Sequence, residues 1–452
     1  MIFDTLQLKK ILLGLLIALS VFALSLSIFN ATQASLLGLI AFLVTLWTNE
    51  GLPLAVVSLL PIVLFPAFGI LDTTATAINY SNPIIFLFLG GFLLAIAVEK
   101  SKLHIWIAEK ILSFFPSTPR AMIFSLALTS ALLSSILSNT TTTLLLMSIA
   151  LFITDDLSLK LRFALAIAYG ASVGGILTPI GTPPNLILLG VMQGNDMELI
   201  PFFQWMWMVA PLSFVMLIAV TLILSIGAHA APIQIRNKKK PLDRDQKKIL
   251  FIIGVLVALL LMNAPMQPFW SGLGLSESGL LLGVGLLLFV SPFKILDWME
   301  DKDNIPYRIM FLFGAGFSIA TAFSATGLAE EVASYLIGMT QLRPLFLLLG
   351  VAALITFTTE VTSNTALISI MLPVIYSVAQ QTGINATLFM MVATLCASYA
   401  FMLPIATPPN AIAMSSGVVD VKSMIRYGVV LNLVGIALIV LIAEFFWKGA
   451  LL

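Results

Sequence analysis

Long apolar runs are the feature that most limits what this chain can fold into. Four of them are Ile11–Phe29, Pro201–Ile226, Ile249–Asn263 and Tyr427–Phe446, and each is close to the roughly 20 residues that a helix needs to cross a bilayer. Of the 452 residues, 60% are hydrophobic and only 10% are charged, against about 25% charged in soluble domains. An aqueous fold cannot bury this much apolar side chain. The sequence therefore predicts an all-α, polytopic membrane protein.

The composition also argues against several other classes. A net charge of +1 gives no indication of a nucleic acid partner, and the single cysteine, Cys396, excludes an internal disulfide or a Cys-based metal cluster. We find neither the paired aspartates nor the histidine-rich cluster that an intramembrane enzyme would need, so we expect no enzyme. The first apolar run follows Lys9 and Lys10, as in a secretory signal. Because the run is long and many others follow, a first transmembrane helix is the better interpretation.

The distribution of lysine and arginine predicts the orientation. When the polar connections alternate between inside and outside, 20 of the 22 basic residues fall inside, and only Arg343 and Lys448 fall outside. This solution needs a cytoplasmic N terminus, an external C terminus and an odd number of full crossings, which we count as eleven. Ala121–Ile153 and Pro344–Val378 must then enter and leave by the same face. Their lengths predict two re-entrant helix hairpins, each covered by protein or by a watery cavity.

An internal repeat with a constant offset relates the two halves of the chain. The Ser-Asn-Thr motif at 138–140 recurs at 363–365, and the Thr-Pro-Pro-Asn motif at 182–185 recurs at 407–410, in each case 225 residues later. Other matches at this offset are Gly91 with Gly316, Phe92 with Phe317 and Ser134 with Thr359. By the charge count the first hairpin enters from inside and the second from outside. Such inverted repeats are typical of secondary transporters, which bind substrate near the midplane at broken helices.

The proline pairs of the two Thr-Pro-Pro-Asn motifs predict broken helices. Because proline lacks an N–H group, Pro183-Pro184 and Pro408-Pro409 should each end one half-helix and begin another. The first half leaves carbonyls that can coordinate Na⁺, and the second offers N–H groups and a positive dipole end for a carboxylate. None of the motifs contains Lys, Arg or His, which favours coupling to a cation. Glu360 is the one acid near a motif, either structural or proton-carrying, and we favour the structural role.

In these motifs the chain resembles the divalent-anion/sodium symporter family, which includes the sodium–dicarboxylate and citrate cotransporters. The resemblance covers nearly the whole chain in the order of its elements. It implies a homodimer in the bacterial inner membrane, in which a mobile transport domain moves against a scaffold by an elevator motion. It also implies symport of C4-dicarboxylates such as succinate, malate and fumarate with Na⁺, and no organic cofactor. A sodium-independent exchanger of di- or tricarboxylates and a sulfate carrier stay open as alternatives, and solute counterflow would separate all of these from a channel.

The resemblance further implies the site residues, position by position. The substrate dianion would contact Ser138, Asn139, Thr140, Thr182, Ser363, Asn364, Thr365 and Thr407. The first sodium site would use Ser134, Ser138, Asn139 and the carbonyl of Gly181. The second would use Thr359, the carbonyl of Thr362, Asn364 and the carbonyl of Ala406.

The repeat and the charges divide the chain into five segments. An interfacial amphipathic helix is expected at Glu99–Phe115, its external counterpart at Leu328–Leu342, and a basic cytoplasmic linker at Ala230–Lys248. The segments are the N-terminal scaffold helices (1–80), the first repeat core with interfacial helix, inner hairpin and broken helix (81–200), the scaffold helices with the linker (201–305), the second repeat core with outer hairpin and broken helix (306–420) and the C-terminal transmembrane helix (421–452).

Overall fold

A computed structural model describes residues 5–228, 241–264, 270–336 and 344–450, and over these ranges it is helical without β-strands. The helices of the first half are α1 (Thr5–Ser25), α2 (Ala31–Asn49), α3 (Leu54–Ala67), α4 (Thr73–Ala77), α5 (Pro83–Lys100), α6 (Leu103–Leu112), α7 (Pro119–Ser134), α8 (Asn139–Ile153), α9 (Leu157–Gly175), α10 (Pro183–Gly194) and α11 (Phe202–Ser225). A 3₁₀ turn, Ile78–Ser81, links α4 to α5.

The second half of the chain repeats much of this order. Its helices are α12 (Arg244–Asn263), α13 (Glu277–Leu287), α14 (Trp298–Asp301), α15 (Tyr307–Ala325), α16 (Leu328–Leu336), α17 (Pro344–Thr359), α18 (Asn364–Thr382), α19 (Ala386–Ser398), α20 (Pro408–Ser415), α21 (Val421–Ile442) and α22 (Lys448–Ala450). A 3₁₀ turn at Lys302–Asn304 follows α14, and a π-helical turn at Ala443–Trp447 separates α21 from α22.

Within the described ranges, eight helices are long and apolar enough to cross a membrane, by length and composition. Together with the composition they make the chain an integral membrane protein. One of the eight, Asn364–Thr382, is an arm of the expected outer hairpin, while the eleven expected crossings include shorter helices such as Leu54–Ala67 and Glu277–Leu287. Helix length alone therefore does not decide the number of crossings, and eleven stays a prediction.

Both expected hairpin segments consist of two helices around a break of four residues. In the first, α7 ends at Ser134 and α8 begins at Asn139; in the second, α17 ends at Thr359 and α18 begins at Asn364. The Ser-Asn-Thr motif supplies the N-cap and the first helical residues of the second arm in each case. The breaks therefore lie at the same place in both repeats.

The helices pack in two groups. One group, which we call the hairpin group, contains α7 to α11 and α17 to α21, and it is tied together by hydrogen bonds from buried side chains. The Trp205 indole on α11 donates to the Ile176 carbonyl at 2.9 Å, and the Tyr169 hydroxyl on α9 donates to the Met424 carbonyl at 3.3 Å. The other, the scaffold group, contains α1 to α5, α12, α13 and α15. The groups meet where α5 and α15 pack against α10, and α15 against α18.

The structure differs from the sequence prediction in the length of the first amphipathic helix and in the end of the linker. The first amphipathic helix spans Leu103–Leu112, shorter than expected at both ends, and the described part of its counterpart is Leu328–Leu336. Most of the predicted linker, residues 229–240, lies outside the described residues. Its predicted end at Lys248 is wrong, because Asp243 caps α12 through a reciprocal capping box with Gln246, so that the helix begins at Arg244.

Candidate functional site

Four helix N-termini converge on one cavity of about 1100 Å³. Helices α8, α10, α18 and α20 each begin at a motif, and the residues around all four starts line this cavity. Each N-terminus carries a partial positive charge, and α8 and α18 also offer backbone N–H groups, whereas α10 and α20 begin with proline pairs that have none. The cavity therefore concentrates anion-binding capacity without a cationic side chain at the motifs. All eight residues expected to contact substrate line it: Ser138, Asn139, Thr140, Thr182, Ser363, Asn364, Thr365 and Thr407.

The hydroxyl groups at these starts are used differently in the two kinds of motif. Ser138 Oγ accepts from the Thr141 N–H at 3.1 Å, and Ser363 Oγ occupies the equivalent N-cap of α18. Thr407 Oγ1 accepts from the Asn410 N–H at 3.4 Å, whereas Thr182 makes no side-chain cap bond to α10. The Thr182 hydroxyl is therefore the one of the four that is not engaged in capping its helix.

At each hairpin break, a hydroxyl at the end of the first arm lies against the side-chain oxygen of the motif asparagine. Ser134 and Thr359 are fully buried, and each hydroxyl donates to the side-chain oxygen of the motif asparagine, Ser134 to Asn139 and Thr359 to Asn364, the latter at 2.6 Å. Of the remaining residues expected at the sodium sites, Gly181 and Ala406 line the cavity, and Thr362 does not. The structure thus gathers hydroxyl and amide oxygens beside the cavity at symmetry-related places.

The asparagines that end the Thr-Pro-Pro-Asn motifs bridge the helix breaks. Asn185 Nδ2 donates to the carbonyls of Gly175 and Thr178, at 3.3 and 2.9 Å. Its repeat mate Asn410 bonds the two repeat-related carbonyls at 3.0 Å each. Both asparagines are fully buried, and both Oδ1 atoms lack a hydrogen-bond partner among the described residues. The sequence predicted the breaks from the prolines but assigned no role to these asparagines, although their recurrence at the same offset was the available signal.

Two glycines are required beside the first of these breaks. A Cβ at residue 181 would overlap the carbonyl of Gly175, and a Cβ at residue 175 would lie 2.9 Å from Asn139 Oδ1. The first Ser-Asn-Thr motif and the first broken helix consequently approach each other more closely than any side chain at these positions would allow.

Glu360 joins the outer hairpin to the second broken helix. Its two carboxylate oxygens accept from the N–H groups of Met402 and Leu403, both at 2.9 Å, and Asn432 Nδ2 donates to Oε1 at 2.6 Å. The residue is 2% exposed, and no ion pair is found for it among the described residues. These three donors favour the structural role over a proton carrier, because they stabilise the charged carboxylate in place.

The repeat mate of Glu360 performs a similar task with different atoms. Ser135 occupies the equivalent position, and its backbone carbonyl accepts from the hydroxyl of Thr178, which is the repeat mate of Leu403. Hairpin and broken helix are therefore joined in both repeats, through a side-chain hydroxyl in the first and through backbone N–H groups in the second.

Comparison with known proteins now decides the family. A model described as "Citrate transporter" matches residues 39–393. The chain belongs to the citrate transporter family. As a member of this family it is a secondary transporter and not an enzyme.

Named relatives of this transporter extend over almost its whole length. The sodium-dependent dicarboxylate transporter SdcS of Staphylococcus saprophyticus is 30% identical over 96% of this chain and 91% of its own. SdcS of Staphylococcus aureus is 31% identical with the same coverage.

Two solved transporters share the fold at low sequence identity. YdaH of Alcanivorax borkumensis is 17% identical, with a TM-score of 0.61 over 83% of this chain and 88% of its own. MtrF of Neisseria gonorrhoeae, described as one of a class of antimetabolite efflux pumps, is 14% identical, with a TM-score of 0.58 over 81% and 83%. At these identities the likeness concerns the fold alone.

The scaffold group contributes cavity residues that the motifs did not predict. Lys10 on α1, Glu50 after α2 and Arg308 in the first turn of α15 all line the cavity of this transporter. They lie far from the motifs in sequence and share no pattern with them, so only the packing of helices brings them to the site.

Proposed function

We propose that this transporter couples the movement of Na⁺ to that of a C4-dicarboxylate. The observation that carries the proposal is the convergence of four helix N-termini on one cavity that has no cationic side chain at the motifs. A substrate with two carboxylates can place one at each repeat, because Thr140 and Thr182 recur as Thr365 and Thr407. The relatives named as sodium-dependent dicarboxylate transporters support the same assignment.

The donor atoms fit Na⁺ as the co-transported ion. Hydroxyl, amide and carbonyl oxygens are the ligands that hard cations prefer, and unwound backbone carbonyls coordinate Na⁺ in other transporters. We assign one sodium site to Ser134, Ser138, Asn139 and the carbonyl of Gly181. We assign the other to Thr359, Asn364 and the carbonyls of Thr362 and Ala406. The unpartnered Oδ1 atoms of Asn185 and Asn410 support a cation in this region, since they are buried acceptors without a donor.

The hydrogen-bonded hairpin group is the candidate for the moving body of an elevator. We include α11 in it, although the chain order groups Phe202–Ser225 with scaffold helices, because Trp205 binds the break of the first broken helix and Trp447 Nε1 donates to the Met208 carbonyl at 2.8 Å. The lining by Lys10 and Arg308, which the charge count places inside, supports a cavity that faces the cytoplasm. The homodimer, the lipid contacts and the cytoplasmic N terminus stay predictions from the sequence.

Uptake by the purified protein in liposomes tests the proposal. Labelled succinate should accumulate only with an inward Na⁺ gradient, and excess unlabelled succinate should compete while butyrate, with a single carboxylate, should not. Hydrogen bonds to a charged group contribute about 1.5–3 kcal/mol each, so losing two should weaken binding at least about a hundredfold. Accumulation without Na⁺ that depends on internal dicarboxylate would support the exchanger, and competition by sulfate alone would support a sulfate carrier.

A further inference from the structure

Some charged residues that line the cavity belong to no motif; we call the part of the cavity that they line its mouth, and the part that the motifs line its inner end. Among the residues described as lining it, the charged ones are Lys10, Glu50 and Arg308, and all three belong to the scaffold group. Lys10 is half-buried, and Glu50 and Arg308 are exposed. The inner end, built by the motifs, offers hydroxyls, amides and helix N-termini instead. An anion leaving the motifs by this mouth therefore passes two cations and one carboxylate.

The two cations are held beside the opening but are not neutralised. The Lys10 backbone carbonyl accepts from Asn49 Nδ2 at 3.1 Å, which fixes this turn of α1 against the end of α2. Arg308 lies in the first turn of α15, which packs along α3. Within the described part of the chain, neither Lys10 nor Arg308 forms an ion pair, with Glu50 or with any other acid. Both charges are thus available to a solute.

The two cations at the mouth have no counterparts in the other repeat. The repeat mate of Arg308 is Pro83, so the inverted symmetry that duplicates the motifs does not place an arginine at the opposite mouth. Lys10 precedes the repeated region altogether. A cationic mouth therefore acts on solute that enters or leaves through this face, and not on solute at the other face.

We propose that Lys10 and Arg308 form an outlying docking site for a carboxylate of the substrate, at the cavity mouth and distinct from the motif site. The inference rests on the proposed transport of a dicarboxylate. A cationic mouth with low-dielectric walls raises the local concentration of an anion and accelerates its entry. Solute that has left the helix N-termini meets Arg308 and Lys10 before it reaches bulk water, so the site serves loading and release at this face.

Transport measured separately from each face tests the docking site. The variants are K10Q, R308Q and the double variant, with the charge-conserving K10R and R308K. The matched control is K9Q, because Lys9 is exposed, adjacent in sequence and absent from the cavity lining. Right-side-out and inverted vesicles would give KM and kcat for succinate from the two faces, at fixed Na⁺ with and without added potassium chloride.

We expect the double variant to raise KM about three- to tenfold from the cationic face and to leave KM from the other face unchanged. Added salt should shrink this difference, since it screens exposed charges. K10R, R308K and K9Q should behave like the unaltered protein. Equal effects from both faces, or no difference from K9Q, would overturn the docking site alone. Absence of succinate transport by the unaltered protein would instead overturn the proposed function, and this inference with it.

Discussion

Asn410 makes, 225 residues later, the same pair of hydrogen bonds that Asn185 makes across the first broken helix. Each amide reaches back over the two prolines to carbonyls at the end of the preceding half-helix and within the break itself. The prolines explain why the helix is interrupted, and the asparagines explain how the interrupted ends keep a fixed separation. This matters for function because two of the three carbonyls proposed to bind Na⁺, those of Gly181 and Ala406, lie in the same breaks.

Replacing either asparagine with alanine should weaken both folding and the use of sodium. In each variant one carbonyl, that of Gly175 or Ala400, loses its amide donor, while that of Thr178 or Leu403 keeps a backbone N–H donor. The loss should lower the free energy of unfolding by about 1–3 kcal/mol. We expect N185A and N410A to lower the melting temperature in detergent and to raise the Na⁺ concentration for half-maximal uptake. The control is N195A at the C-cap of α10, since the side chain of Asn195 bonds a carbonyl of that helix and does not bridge a break. Unaltered Na⁺ dependence in both variants would contradict the positioning role.

The variant E360Q distinguishes a structural carboxylate from a proton carrier. An amide has only one acceptor oxygen. In E360Q an NH₂ group would therefore face one of the N–H groups that now donate to the Glu360 carboxylate. We expect a lower melting temperature, a loss of about 1–3 kcal/mol in the free energy of unfolding and no change in the shape of the pH profile of uptake. E330Q, at an exposed position of α16, is the control. Normal stability combined with a lost pH dependence would favour the proton carrier.

A close contact between Gly190 and Phe317 joins the hairpin group to the scaffold group. A Cβ at residue 190 would overlap the ring of Phe317, and overpacking of this kind costs about 1–3 kcal/mol. We expect G190A to slow transport at least about fivefold, because the present packing of α10 on α15 becomes unfavourable. G194A on the same helix should be harmless, since nothing lies within 4 Å of the added atom.

The double variant G190A/F317A checks that the contact between Gly190 and Phe317 causes the slower transport expected of G190A. Removing the ring should restore part of the rate lost in G190A, and the coupling between the two substitutions can be read from a double-mutant cycle of uptake rates. If G190A and F317A act additively, the contact does not control the movement.

Labelling of single cysteines checks the orientation. Ser271 is exposed and predicted to lie outside, so S271C should react with an impermeant thiol reagent added outside, whereas D303C should not. Asp303 is exposed and suits the internal position, whereas the nearby Asp301 does not, because it is 6% exposed and paired with Lys100 at 2.7 Å. Cys396 must be removed first, although it is buried. Reversed labelling would overturn the inverted-repeat assignment.

Much of the core of the fold could be predicted from the sequence because the determining signals are local. Proline pairs, Ser-Asn-Thr caps and apolar runs each specify their own stretch of backbone, and α8, α10, α18 and α20 begin at the caps and prolines. The offset of 225 residues then relates the starts in space. Capping at Asp243 was missed because its capping box lies within a polar segment that resembles a linker in composition.

The mouth of the cavity could not be predicted in the same way. Lys10, Glu50 and Arg308 line one cavity only after α1, α2 and α15 have packed, and no repeat or motif connects them. Similarly, Glu360 could be recognised as unusual, but its partners on the second broken helix and on α21 depend on the tertiary fold. The sodium and substrate assignments stay predictions, supported by the placement of their residues around one cavity.

A chain of aromatic rings on α5 and α15 runs from Phe92 and Phe88 in the lining of the main cavity to Phe317 in the lining of a smaller cavity of about 230 Å³. Phe92 meets Phe88 edge-on at 3.9 Å between centroids, Phe88 meets Phe313 at 4.9 Å, and Phe313 stacks near Phe317 at 6.4 Å. A hydrated sodium ion crossing here unaccompanied would have to shed its water against hydrocarbon, at a prohibitive cost in free energy. In the Na⁺-coupled transport proposed above, the rings would therefore limit slippage, so that little of the ion gradient dissipates without cargo.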